Sequence, residues 1–168
     1  MKMSPGVRKL VLSTHIATSV ALLGAVASFL VLAILGLTSR DVQVARAAYM
    51  TMEPIAWLII VPLAFTSLLI GIVQSLGTAW GLLQHYWVIA KLVLTLFVTV
   101  VLLLQIKTIA TLARIASETT LSSGDLGRPR LSLVIHAAGG LLVLLVPVAL
   151  SVYKPGGRTS RGRRAPLQ

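Results

Sequence analysis

Residues 71–91, GIVQSLGTAWGLLQHYWVIAK, join two long apolar runs, and that junction limits what the chain can fold into more than any other part of it. The run before it, 54–73, is almost wholly apolar; the run after it, 87–106, carries one charge, Lys91, and reaches Gln105 at its far end. Each is about 20 residues, the length that crosses a hydrocarbon core of roughly 30 Å as a helix. A surface helix of a soluble domain presents an apolar stripe, whereas these runs are apolar around their whole circumference. Gln74, Ser75, Gly77, Thr78 and Gly81 supply turn chemistry, and Trp80, Tyr86 and Trp87 are amphipathic rings suited to headgroup depth. The junction therefore reads as a tight hairpin between two membrane spans.

Composition extends this to the whole chain. Only 11% of the residues are charged, against roughly 25% in a soluble domain, so the protein as a whole belongs to the bilayer. Cysteine is absent, which removes disulfides, thiolate metal sites and thiol catalysis. The net charge of +11 could suggest nucleic acid. The basic residues, however, gather in the first nine and last fifteen positions, beside apolar spans, where anionic lipid headgroups are the nearer partner. No nucleic acid is expected.

In chain order, 1–9 is a basic N-terminal segment (Lys2, Arg8, Lys9) and 10–37 is a first span without a single charge. Ala45, Arg46 and Ala47 resemble a signal cleavage site, but a signal's apolar region is roughly 7 to 15 residues and this run has 28, so the span is read as retained. Residues 38–53 carry Arg40, Asp41, Arg46 and Glu53 among helix-spaced Val42, Ala45 and Tyr49, which suggests a short interfacial helix. Pro54 then opens the second span, 54–74, from a first-turn position, and Pro62 should kink it. The third span is 86–106, with its helix continuing to about 118 and projecting several turns into water. Residues 119–130, TTLSSGDLGRPR, read as a loop, 131–153 as the fourth span, and 154–168 as a flexible Gly/Arg tail. The fold class is all-α, a polytopic four-helix membrane bundle.

Four spans place both termini and the 74–86 turn on one side, with eight basic residues and no acid. The other side holds six basic residues and all four acids, Asp41, Glu53, Glu118 and Asp125. By the positive-inside rule both termini are cytoplasmic.

Polar groups inside a span are costly and are functional candidates for that reason. His15 and Lys91 each lie about five residues inside their spans from the cytoplasmic end, roughly 7 Å deep at 1.5 Å per residue, and Gln74, Ser75 and His85 share that level. On the other side His136 lies level with Glu53, Met50, Met52 and Gln105. Lys91 either snorkels to the headgroups beside Trp87 or faces a substrate. His15 either bonds a neighbouring helix or ligates haem b or copper. His136, followed by Ala137, Ala138, Gly139 and Gly140, has bare helix beside it that suits a haem edge or close helix packing. His85 is an interfacial side chain. Thr14, Thr18, Ala21, Ala25 and Ser28 on the first span, and Ala64, Ser67 and Gly71 on the second, form small-residue packing stripes. No two histidines have metal-ligand spacing, and His15 and His136 start near opposite faces, which disfavours one haem held by both. A Cu(I) site from Met50, Met52 and His136 is chemically conceivable. No nucleophile motif, phosphate loop or pair of intramembrane carboxylates occurs, so an enzyme is not expected.

The runs TSLLIGIVQSLGTAWGLLQHYWVIAKLVLTLFVTVVLLLQ, RKLVLSTHIATSVALLGAVASFLVLAI and RAAYMTMEPIAWLIIVPLAF resemble a group of small, uncharacterised bacterial integral membrane proteins common in high-GC bacteria. The resemblance covers residues 8–114. It implies a four-span plasma-membrane protein and carries over no activity, cofactor or site residue. Three readings follow: a non-enzymatic accessory component with no cofactor, which forms a homodimer or meets a partner in the bilayer; a haem or copper redox protein using His15 and His136, with His85 as a further candidate; and a small transporter in which Lys91 and His15 line a cytoplasmic vestibule.

Overall fold

The structure is a computed structural model that describes residues 3–78, 81–118 and 127–160. Trp80, Asp125, most of the 119–130 segment and the end of the Arg-rich tail, all singled out above, lie outside the described residues. Helix α1 is Pro5–Thr38, α2 Val42–Ile55, α3 Val61–Leu76, α4 Tyr86–Ser117 and α5 Gly127–Tyr153. A π-helical turn, Ala56–Ile60, joins α2 to α3. Val42–Leu76 is therefore one rod of 35 residues, and among the described residues there are four helices long and apolar enough to cross a membrane. This is an all-α, multi-pass membrane four-helix bundle.

Around the bundle, α1 packs on the Val42–Leu76 rod and on α5, and α4 packs on the same two from the other side. One end, here the terminal end, carries the starts of α1 and α4 and the ends of α3 and α5; the other is the far end. Local chemistry sets several boundaries. Ser4 Oγ accepts from the Val7 amide at 3.4 Å, with Pro5 in the first turn. Asp41 Oδ1 caps α2 by accepting from the Gln43 amide at 2.8 Å. The α5 helix ends where Lys154 turns left-handed, with φ 41°, ahead of Pro155.

Four expectations are corrected. Residues 42–53 are helical but run on into the second span rather than forming a separate helix, and Pro54 is not a first-turn residue: it sits inside helix. A proline there frees one carbonyl, that of Met50, whereas Ala45, Ala48, Tyr49 and Met52 are all buried, and that packing keeps the upstream turns helical. Ahead of Pro62 the backbone takes up a π-helical turn in which the Val61 amide reaches Ala56 O, the kind of local adjustment that accommodates proline within a span. The fourth helix begins at Gly127, because Pro129 is a tolerated first-turn residue rather than a loop marker. The tail is not free from Lys154 onward: Thr159 is buried, its amide donates to Gln84 O at 3.0 Å and its hydroxyl to Leu83 O at 2.7 Å.

The tightest packing is at the far end. Tyr49, Met52, Leu112, Ala116, Leu133 and Ala33 are all fully buried there. Large exposed apolar side chains on α4 stop at Leu104. Beyond it Ile109 and Leu112 turn inward while Lys107 and Arg114 face out. The projecting part of α4 is thus an amphipathic helix packed on α2, and Arg46 of α2 donates to Ser117 O at 2.6 Å, capping it. Below that level an almost continuous sleeve of exposed Leu, Val, Ile and Phe faces the lipid.

Candidate functional site

The interior of the terminal half of the bundle is mostly apolar but carries several polar side chains. A partly open cavity of about 370 Å³ lies there, lined from α1, α3, the 77–85 turn, α4 and α5. It gathers His15, Gln74, Ser75 and Lys91, four residues that depth alone placed at one level. His85 stands apart, as the residue before α4: it pairs across an isolated bridge with Arg158, with its ring 6.2 Å from Trp87.

Each wall residue has a definite setting. The Lys91 ammonium leans toward the terminal end, as snorkelling predicts, but instead of reaching the turn it donates to Ser151 Oγ on α5 at 2.8 Å. Ser151 in turn donates to Pro147 O at 2.7 Å, and the ammonium lies 5.3 Å from the Trp87 ring centroid, within cation–π range. The His15 ring lies against Gly71, where an added Cβ would come within 3.0 Å of Cε1, so the glycine makes room for the imidazole. Ser67 of the same α3 face meets Ser19 Oγ at 2.9 Å, tying α1 to α3. His15 Nδ1 and Gln74 Oε1 are buried without a hydrogen-bonding partner, a condition that costs about 1–3 kcal/mol for each such group.

Among the described residues the lining includes no carboxylate. Among the described residues Asp41, Glu53 and Glu118 all lie at the far end, and Glu118 pairs weakly with Arg114 at 3.8 Å on the surface. Lys154, just past α5, adds a second cation near Lys91.

His136 occupies a different place. Its Nδ1 lies 2.7 Å from Ser132 O on its own helix, and its ring borders a second, apolar cavity of about 310 Å³ that Gln105 also lines. Gly139, beside it, has open space around its Cβ direction. Gln105 Oε1 is buried without a partner. The two cavities adjoin, sharing Leu22, Thr95 and Leu144, yet His15 lines only the first and His136 only the second. Met52 is buried in the core, Met50 faces outward, and neither lines a cavity with His136; Glu53 is half-buried on α2 and lines neither cavity. Among the described residues no three His, Asp or Glu side chains come together.

The packing stripes divide. Ala64, Ser67 and Gly71 do face the interior, but on α1 the buried face is Leu22, Val26, Phe29 and Ala33, not the stripe that includes Ala21 and Ser28. Thr14, Thr18 and Ser28 donate their hydroxyls to carbonyls of α1 itself. Ser19, Thr95 and Ser151 are polar wall residues that sequence reasoning missed. Lone serines in apolar runs look alike, and only azimuth distinguishes a cavity wall from a lipid face.

No protein-family model, curated protein or solved structure matches this chain.

Proposed function

We propose that this chain is a small, non-enzymatic solute carrier of a bacterial plasma membrane, with both termini in the cytoplasm and the cavity lined by Lys91 as its cytoplasm-facing vestibule. One observation carries the reading: His15, Gln74 and Lys91 come from three helices and line one cavity. Intramembrane polar groups are retained at a cost, and an accessory role in helix packing does not need them to surround open space. The adjoining apolar cavity extends the path toward the far end past Leu22, Thr95 and Leu144. The excess of Lys and Arg beside both termini supports the orientation. The exposed Arg8 and Lys9 meet anionic headgroups on that side.

The chain has no cysteine, so single cysteines report access directly. In inside-out vesicles Ser75→Cys and Thr78→Cys react with a charged, membrane-impermeant thiol reagent, and the lipid-facing Leu69→Cys does not. Equal protection of all three positions would overturn the vestibule.

A further inference from the structure

We infer that the cavity at the terminal end is an anion site, with Lys91 as its charged contact and a small carboxylate or phosphate-type group as the chemistry it takes. This rests on the vestibule reading and adds the class of ligand.

Charge balance is the main reason. The Lys91 ammonium has three N–H donors, of which one goes to Ser151, while the Trp87 face covers part of the rest. Ser151 spends its own proton on Pro147 O, so it is an acceptor fixed in direction and contributes no counter-charge. His15, the next titratable group on the wall, is itself cationic when protonated, and Lys154 lies beyond Lys91 on the same side. Among the described residues the cavity lining contains no Asp or Glu, and the described carboxylates lie at the far end of the bundle. A cationic solute would meet uncompensated repulsion at low dielectric, whereas an anion completes the ion pair that the chain leaves open.

Shape and access agree. A volume of about 370 Å³ lies within the range of sites that hold small molecules. The lining runs from the turn residues Thr78 and Leu82 to Val20 of α1 and Val152 of α5, both strongly exposed on the lipid side. An anion therefore has two routes in, from water at the turn or from the headgroup layer between α1 and α5, and the two sources share one chemistry.

The test uses Ser75→Cys in the full chain, reconstituted in phosphatidylcholine vesicles. Its labelling rates with the anionic sulfonatoethyl and the cationic trimethylammonioethyl methanethiosulfonates are compared, each normalised to free cysteine. The expected result is an anionic preference of at least about tenfold, the size of one nearby charge at intermediate dielectric. Lys91→Gln should collapse it. The wild-type Lys91 comparison stands without that variant, so poor folding of Lys91→Gln does not blunt the test. Sodium lactate that slows the anionic reagent, with neutral lactamide inert, marks a free solute. Phosphatidylglycerol in the vesicles that slows it without lactate marks a lipid headgroup. Equal normalised rates overturn the anion site while the vestibule survives. An anionic preference that neither lactate nor phosphatidylglycerol competes with also overturns it, by reducing Lys91 to a passive field. A Ser75→Cys that no reagent labels fails the vestibule itself.

Discussion

Replacing Gly36 by alanine would place one methyl carbon 2.7 Å from Tyr49 Cζ and within 3.0 Å of two further ring carbons. Ordinary carbon contacts lie at about 3.5–4.0 Å, so the ring or α1 must move by most of an ångström. Tyr49 has nowhere to go: it is 1% exposed, and Arg130 lies over its ring at 5.6 Å. Overpacking of this kind costs about 1–3 kcal/mol, against which alanine offers about 1 kcal/mol of helix propensity over glycine. The expected net effect is a loss of about 0–2 kcal/mol. Its sign should reverse when Tyr49 is first replaced by leucine, which vacates the position of the outer ring atoms. The measurement is a double-mutant cycle over Gly36→Ala and Tyr49→Leu, read by reversible unfolding in mixed micelles. A coupling of about 1–3 kcal/mol is expected. Identical effects of Gly36→Ala in the two backgrounds would refute the close approach of α1 to α2.

Ser67→Ala removes the bond to Ser19 Oγ; because interhelical bonds of this type average about 0.6 kcal/mol in membranes, a similar loss of stability is expected, and the same value in a Ser19→Ala background would show that the two do not interact. Arg46→Ala uncaps the end of α4 at Ser117 O, with an expected cost of about 0.3–1 kcal/mol and faster amide exchange confined to the last turn of that helix. Truncation after Tyr153 removes the acceptor of the Tyr86 amide, Gly157 O, and the contacts of Thr159 with the turn. Exchange at Tyr86 should accelerate while the Ile109 and Leu112 amides stay protected; unchanged exchange at Tyr86 would show that the 154–160 strap does not hold the turn.

Much of the site was legible because depth in a membrane is a one-dimensional quantity. Counting residues from span ends put His15, Gln74, Ser75 and Lys91 on one level, and they do line one cavity. Direction around each helix was far less legible. The first span is apolar on every side, so its Thr/Ala/Ser stripe and its Leu22, Val26, Phe29, Ala33 stripe were equally good candidates for the interior. Shape complementarity chose the large side chains, and hydroxyls that bond back to their own helix tolerate the lipid side. The π-helical turn was not legible in an almost wholly apolar run, and its mark is in the burial pattern. The buried positions Met52, Ala56, Ile60 and Ala64 step by four three times in succession, a longer period than an α-helix of 3.6 residues per turn sustains on one face.

What the amino-acid sequence determined by itself was the count of spans, their order and the depth of each polar group, because the cost of burying polar atoms in hydrocarbon acts on every helix separately. Tertiary structure decided which faces meet, that residues 42–76 form one rod, that 154–160 straps the turn, and that His15 and His136 belong to different cavities. Those outcomes depend on packing between residues far apart in the chain, where no single helix holds the information.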